Sequence, residues 1–224
     1  MEDYLKAVYE AQREGEDPVS TSEIAEMLDV TPPTVTSMVE KLEERELVER
    51  EKYKGVRLTT EGETVALEVV RHHRLLETYL TEQLGYDWAA VHDEADRLEH
   101  HISEEFERRV ADALGDPTVD PHGDPIPDDS LQPVDETGST LSEFEEGETV
   151  VVTRVRDRDP EELAYLDDVG VTPGTPLTVA EVAPIGMVTV ELADGRTVSL
   201  PDHIADAIQV RAPDEPVADG VSEV

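Results

Sequence analysis

Thr31-Pro32-Pro33 is the step that most restricts how this chain can fold, because it lies between two stretches of helical periodicity. Proline is tolerated in the first turn of a helix, where its missing N–H would be unpaired anyway, and is disfavoured in the interior. The stretch EIAEMLDV, with Ile24, Ala25 and Leu28 in register, therefore ends at Asp29-Val30. A new helix opens at the prolines, with Thr31 as hydroxyl cap candidate, and runs through TVTSMVEKLEERELV with Val35, Met38, Val39 and Leu42 turned inward. Ser20-Thr21-Ser22 offers caps for the shorter helix, with Glu23 in its first turn. Upstream, residues 2–13 space Leu5, Val8 and Tyr9 on one helical face, and GEDPVS is a turn. Downstream, VEREKYKG and VRLTTEG are two short extended pieces around Lys54-Gly55. Helix, short helix, turn, helix, hairpin is the order of a winged helix-turn-helix.

A helix that reads a major groove benefits from small polar residues at its start, which let the backbone approach and let hydroxyls bond phosphates or base edges. Thr31, Pro33, Thr34, Thr36 and Ser37, with Lys41 further along, are the candidate DNA contacts of the third helix. Lys52, Lys54 and Arg57 are those of the wing, whose segment 50–57 holds four basic residues against one acid. The bland alternative is a protein-binding winged helix whose hairpin is merely a solvated turn. Composition also points away from nucleic acid: 55 acidic against 18 basic residues leave a net charge of −37, whereas basic patches normally supply that affinity. These acids are spread through every segment and only four residues are lysine, which fits a protein adapted to molar salt. There the Debye length is about 3 Å and self-repulsion is screened. The local pattern outweighs the global one, so double-stranded DNA is the expected partner. Without cysteine there is no disulfide framework, thiolate zinc site or thiol nucleophile. With no apolar run near about 18 residues and no basic-then-apolar leader, a cytoplasmic protein with no membrane partner is expected.

From Thr60 the periodicity is helical for about fifty residues. Residues 61–84 form one helix closed by Gly85, residues 87–102 a second, and SEEFERRVADAL continues or restarts it up to Gly115. DPTVDPHGDPIPDD is too rich in Pro, Gly and Asp for regular structure, and 128–140 reads as a linker. Residues 141–212 alternate apolar and polar at period two in GETVVVTRV, TPLTVAEVA, MVTVEL and TVSLP. That is a small SH3-like β-barrel with a helical insertion at 159–168, followed by a disordered tail at 213–224. The expected fold is mostly α: a winged helix-turn-helix (1–63), a helical domain (64–127), the linker, and the barrel (141–212).

Five of the seven histidines fall between 72 and 101. His73 and Glu77 are four apart on one helix face, and His92, Asp96, Glu99 and His100 follow at i, i+4, i+7 and i+8. This stripe contains no basic residue, and imidazole with carboxylate oxygens is a ligand set for a divalent first-row metal. Asp3 on the first helix could complete the shell. A solvated acidic face is the competing reading. His72, His101 and His122 are assigned to the surface or to supporting positions.

EDYLKAVY, SEIAEMLDVTPPTVTSMVEKLEERELV, the EKYKG wing with LTTEG, RHHRLLE, VHDEADRLEHHIS and DPHGDPIP cover residues 2–127 almost continuously. Together they resemble the metal-dependent repressors of the diphtheria-toxin-repressor family, including its manganese-responsive branch. Residues 141–212 are similar to that family's SH3-like, FeoA-type domain, notably in YLDDVGVTPGTPLTV and ADAIQV. The resemblance implies two metals per subunit. Asp3, Asp96, Glu99 and His100 match the primary, activating site; His73, Glu77 and His92 match the ancillary site, to which Asp159 and Glu162 of the SH3-like domain are added. Where the family's iron regulators carry methionine and cysteine, this chain has Asp3 and Asp96, and hard oxygen ligands favour Mn²⁺, with Fe²⁺ the second candidate. Lys6 stands where manganese regulators usually carry a second carboxylate, and those regulators usually lack the SH3-like domain. The chain thus combines a manganese-type primary site with the architecture of an iron regulator.

The function so implied is a homodimeric, metal-activated repressor of metal-uptake genes. Residues 64–114 would supply the dimer interface through faces that include Val65, Leu67, Val70, Leu75, Leu76 and Leu80. Metal would draw Asp3 toward Asp96, Glu99 and His100 and fix the spacing of the two recognition helices. Because bound histidines must be neutral, activation should weaken in acid. Two rivals remain. His92-Asp93 with His73 upstream could belong to an HD-type metal-dependent phosphohydrolase, which leaves the winged helix unexplained. The other is a metal-buffering or interaction protein whose winged helix does not touch DNA.

Overall fold

A computed structural model of the chain describes residues 1–13, 15, 17–51, 54–133, 138–156 and 159–213. Lys52 of the wing, residues 134–137 of the expected linker and the expected tail beyond Pro213 lie outside the described residues. The chain forms two compact units: Met1–His73 with Arg97–Glu107 and Pro127–Pro133, and Arg74–Asp96 with Arg108–Ile126 and Val134–Val224.

In the first unit α1 (Glu2–Arg13), α2 (Thr21–Met27) and α3 (Pro32–Glu43) are followed by a hairpin of β1 (Val48–Glu51) and β2 (Gly55–Leu58). Ser20 caps α2, its Oγ accepting from the Glu23 N–H at 3.1 Å. Thr31 precedes α3 with both prolines in the first turn, but its hydroxyl does not cap the helix and lies 2.8 Å from that of Thr34. The helical periodicity extends α3 through ELV. The helix instead stops at Glu43, because Glu46 adopts φ 60° and the Leu47 N–H closes back on the Leu42 carbonyl at 3.0 Å, freeing Val48 to start β1. The strands pair Val48 with Leu58 and Glu51 with Gly55. Leu5, Val8, Tyr9, Ile24, Val35, Val39, Leu42, Val48, Val56, Leu67 and Val70 share one buried core, with Met38 partly buried against it. Gly62, in the first turn of α4 (Thr60–Leu84), lets that helix approach the end of the α3–β1 turn: a Cβ there would stand 1.9 Å from the Leu47 carbonyl oxygen.

The second unit holds the rest of α4, which ends at Leu84 before Gly85 (φ 71°). It also holds most of α5 (Val91–Leu98) and α6 (Glu104–Leu114). Residues 87–102 are not one helix. Asp87 folds a turn, its side chain accepting from Ala89 N–H and its carbonyl from Ala90 N–H, so α5 begins only at Val91. It ends at Leu98, whose carbonyl accepts from His101 N–H at 2.8 Å; Glu99 and His100 therefore leave the helix in a turn. Ser103 starts α6 afresh, its Oγ accepting from Phe106 N–H.

Six antiparallel strands follow in the spatial order β3 (Ser139–Thr140), β8 (Ile208–Arg211), β4 (Thr149–Val155), β5 (Pro176–Ala183), β6 (Met187–Leu192), β7 (Thr197–Pro201). The SH3-like domain is present, yet its sheet is open rather than a closed barrel: β3, of two residues, and β7 are its edges. β3 starts at Ser139, inside the stretch read as linker, and pairs Ser139 with Val210. Val150, Val152, Leu177, Val179, Val188, Val190, Leu200 and Ile208 fill the core beneath α7 (Pro160–Val169), the expected insertion. The Pro/Gly/Asp-rich segment is irregular but pinned, with Asp120 N–H donating to Asp124 O and Val155 N–H to His122 O. Among the described residues no helix is long and apolar enough to cross a membrane.

Candidate metal centre and nucleic-acid interface

Thr31, Pro33, Thr34, Thr36, Ser37 and Lys41 are all exposed along α3, as a groove-reading helix requires. Thr36 donates its hydroxyl to the Pro32 carbonyl at 3.0 Å and keeps only acceptor capacity. The wing is not a free positive island. Lys54 pairs with Glu51 at 2.9 Å, Arg57 with Asp17 at 2.6 Å and Glu51 at 3.2 Å, and Arg50 approaches Glu40 and Glu43. The hydrogen bond from Lys54, with the nearby charge of Arg57, holds the Glu51 carboxyl below its ordinary range.

In the first unit α1 faces the turn that carries Glu99 and His100. His100 Nε2 contacts Asp3 Oδ1 and lies 3.3 Å from Glu99 Oε1, while its Nδ1 is 2.7 Å from Glu2 Oε2. Glu99 is almost fully buried; its Oε2 accepts from Lys6 Nζ at 3.0 Å and lies 2.7 Å from His73 Nδ1. His72 supports this turn through Nδ1, 3.2 Å from the Glu99 carbonyl. Arg71 then braces the same region, donating to Glu107, Asp129 and the Pro127 carbonyl. Asp3, Glu99 and His100 each offer a ligand atom within 4.8 Å of the others. Two carboxylate oxygens and one imidazole form a set that suits a divalent first-row cation, so the residues present fit the expected metal.

The second unit contains a cluster that helical spacing could not reveal. Glu77, Asp120 and His122 are all buried and offer ligand atoms within 4.8 Å of one another. His122 is anchored by Nε2, 3.0 Å from the Trp88 carbonyl, while its buried Nδ1 has no hydrogen-bond partner among the described residues. It lies 3.9 Å from Glu77 Oε2. Burial, followed by the charges of Asp124 and Glu77, pushes the Asp120 carboxyl well above its ordinary range, with Arg74 opposing. Arg74 donates to Asp124 and to the Pro125 carbonyl, and Arg154 also pairs with Asp124. Sequence alone gives His122 a surface or supporting position and Asp120 no role. The only trace in sequence is an Asp and a His two apart in a loop whose path periodicity does not report.

The other expected ligands have these neighbours. Asp96 is half-exposed, with His92 Nε2 at 3.6 Å, and His92 Nδ1 is 3.3 Å from Glu77. His73, expected with the ancillary set, contacts the primary-site Glu99. Asp159 caps α7 by accepting from Glu161 N–H at 2.8 Å, and Glu162 lies 3.4 Å from His203. The side chains expected at a dimer face are already buried in the single chain: Leu67 and Val70 in the first unit, Leu75, Leu76 and Leu80 in the second, with Val65 packed against the first core. Of these positions only Val65 is partly exposed in the single chain.

Comparison with known proteins agrees along most of the chain. Residues 1–56 match the family described as iron dependent repressor, N-terminal DNA binding domain, and residues 59–128 its metal binding and dimerisation domain. Residues 139–212 match the FeoA domain. The iron-dependent repressor IdeR of Mycobacterium leprae is 35% identical over 220 residues, covering 92% of this chain and 94% of that protein. The diphtheria toxin repressor of Corynebacterium glutamicum is 35% identical over 217 residues, covering 92% and 93%. Among solved structures, a manganese-dependent transcriptional repressor in complex with manganese is similar at TM-score 0.87 and 40% identity, covering 94% of this chain and 99% of that one.

Proposed function

Because the chain belongs to the diphtheria-toxin-repressor family, and is with that family a metal-dependent DNA-binding transcriptional repressor rather than an enzyme, we propose that it represses metal-uptake genes as a homodimer on double-stranded operator DNA when Mn²⁺ is bound. The observation that carries this reading is the oxygen-rich cluster of Asp3, Glu99 and His100, which joins the helix leading into the winged helix-turn-helix to the Glu99 turn. Asp96 is proposed as a fourth ligand on the family pattern. A divalent ion held there would supply positive charge shared between α1 and that turn. The chain's own part is to present Asp3 on α1, to keep Glu99 fixed through His72 and its buried surroundings, and so to restrain α1 when metal is present. Hard carboxylate donors without sulfur favour Mn²⁺, and Fe²⁺ is the second metal.

Two sets are proposed for the ancillary ion: His73, Glu77, His92, Asp159 and Glu162, as the family resemblance implies, and Glu77, Asp120 and His122. Support for the second set is the unpaired buried Nδ1 of His122 beside two carboxylates, an arrangement that costs about 1–3 kcal/mol if left unsatisfied. Residues 1–63 then bind DNA, 64–127 hold metal and dimerise, and 141–212 form the attached FeoA-type domain. The chain works in a cytoplasm of high salt, where its net charge of −37 does not repel DNA at range.

The test is binding to DNA upstream of its own gene in about 2 M KCl, where screening is nearly complete. Metal-free protein, Mn²⁺, Fe²⁺ and Zn²⁺ are compared for wild type, Asp3→Asn and Glu99→Gln. Specific binding that needs Mn²⁺ and disappears in both variants is expected. Equally tight binding by metal-free protein would overturn the reading.

A further inference from the structure

Lys6 is held in a way that a lysine on a helix surface does not require. Its side chain is only 12% exposed, and its Nζ lies 3.0 Å from Glu99 Oε2 and 3.1 Å from His73 Nδ1. Those two acceptor-type atoms are themselves 2.7 Å apart, so ammonium, carboxylate and imidazole close a triangle. Only one of the two contacts to His73 can carry a proton in the favourable sense. If Nδ1–H donates to Glu99, the ammonium faces an N–H; if the ammonium donates to Nδ1, the Glu99 contact has no proton between its atoms. In either case a positive centre sits where a carboxylate and an imidazole converge, which is the placement of a bound cation tethered to α1. Glu99, with 2% of its side chain exposed, needs such a partner when ionised. Lys6 is three residues from Asp3, so one helix carries both a proposed ligand and a competing positive charge.

We infer that Lys6 is a built-in counter-cation that antagonises Mn²⁺ at the Asp3–Glu99–His100 cluster, raising the metal concentration needed for activation and holding the Glu99–His73 edge against a second ion. This rests on the reading of that cluster as the activating site. A lysine that merely positioned Glu99 for metal would have the opposite effect when removed, because a loosened Glu99 binds metal less well.

The experiment titrates metal-free, full-length wild type, Lys6→Met and Lys6→Gln with Mn²⁺, following free Mn²⁺ by its electron paramagnetic resonance signal. Asp3→Asn and His100→Ala define binding outside the cluster. Thermal midpoints are recorded with and without metal. Wild type should hold one ion in the cluster. Both Lys6 variants should bind it about tenfold more tightly or better, as removal of a unit charge a few ångströms away requires. Their metal-free midpoints should fall below wild type, and saturating Mn²⁺ should remove the difference. Unchanged or weaker Mn²⁺ binding in both Lys6→Met and Lys6→Gln, with wild type still losing its ion in Asp3→Asn, overturns the inference and leaves the metal site standing. Coincident isotherms for wild type, Asp3→Asn and His100→Ala overturn the site and the inference together.

Discussion

Replacing Gly62 with alanine sets two physical effects of opposite sign against each other. In a helix interior alanine is better than glycine by about 1 kcal/mol, so propensity alone makes the variant more stable. The structure places the new Cβ 1.9 Å from the Leu47 carbonyl oxygen and 2.9 Å from its carbon, both backbone atoms that no rotamer change can move. Relief requires the segment to retreat by roughly 1.5 Å to reach ordinary contact. That segment is tied by three hydrogen bonds: Thr59 N–H to Leu47 O at 3.1 Å, Thr59 Oγ1 to Glu46 O at 2.7 Å, and Gly62 N–H to Thr59 Oγ1 at 3.0 Å. At about 1 kcal/mol each their loss costs about 3 kcal/mol, and the propensity gain leaves a net destabilisation of about 2 kcal/mol. For a chain of this size that lowers the melting midpoint by about 4–8 °C. Calorimetry of Gly62→Ala beside Thr59→Val, which loses the hydroxyl bonds without the clash, and Glu61→Ala, which gains propensity without it, gives the comparison. Should Gly62→Ala melt at or above wild type, the close approach of α4 to the α3–β1 turn would be wrong.

Three further outcomes are expected. The raised Asp120 carboxyl binds its proton more tightly in the folded chain than in the unfolded one, so its stabilising contribution is present in acid and lost as pH rises through the raised value. Asp120→Asn, which can still accept from the N–H groups of His122 and Asp124, should therefore raise the metal-free melting midpoint at neutral pH, and the difference should vanish in acid. Arg71→Met strips Glu107 and the Pro127 carbonyl of their buried donor and should cost about 3–5 kcal/mol in urea unfolding; a loss under 1 kcal/mol would show the network to be solvated. Lys54→Ala should make the plot of log affinity for operator DNA against log salt shallower by about one unit, and an unchanged slope would remove the wing tip from the phosphate contacts.

Periodicity carried the sequence reading as far as regular elements go. The Thr31-Pro32-Pro33 step set the start of α3, Gly85 the end of α4, and alternation found the strands of the SH3-like domain, because each of these signals is local in the chain. Errors arose where tertiary hydrogen bonds override a local pattern. Helical spacing put Glu99 and His100 on a stripe with His92, but the chain leaves α5 at Leu98 and presents both from a turn, which is how they meet Asp3. The apolar face of α4 was read as an interface, yet it is already occupied within the chain. Counting charge in the wing missed its neighbours, since Asp17, Glu40 and Glu43 are distant in sequence or on another element. Asp120 and His122 converge with Glu77 only through a loop held by its own carboxylate and backbone bonds.

The two carboxylate clusters are neutralised in different ways, and this bears on which of them can act as a switch. In the second unit Arg74 and Arg154 offset Asp120, Asp124 and Glu77, but Arg74 is fixed by a carbonyl and a carboxylate at once. A planar guanidinium bound in that way is costly to withdraw, because the Asp124 carboxylate it would release is buried. With the Asp120 carboxyl raised well above its ordinary range, two guanidiniums face the carboxylates of Asp124 and Glu77, and an ion entering there would displace the Asp120 proton. In the first unit the counter-charge is a lysine, a compact ammonium on a flexible stem whose place an ion can take while the stem swings toward solvent. Asp3 on the same helix is half-exposed and able to adjust, whereas Glu99 is buried and fixed. The readily exchanged cation thus lies on the helix that leads into the DNA-binding elements, and the rigid one in the other unit. If ions bind as proposed, a change in metal concentration is felt at Asp3, Lys6 and Glu99, while an ion among Glu77, Asp120 and His122 would be held across the regulatory range.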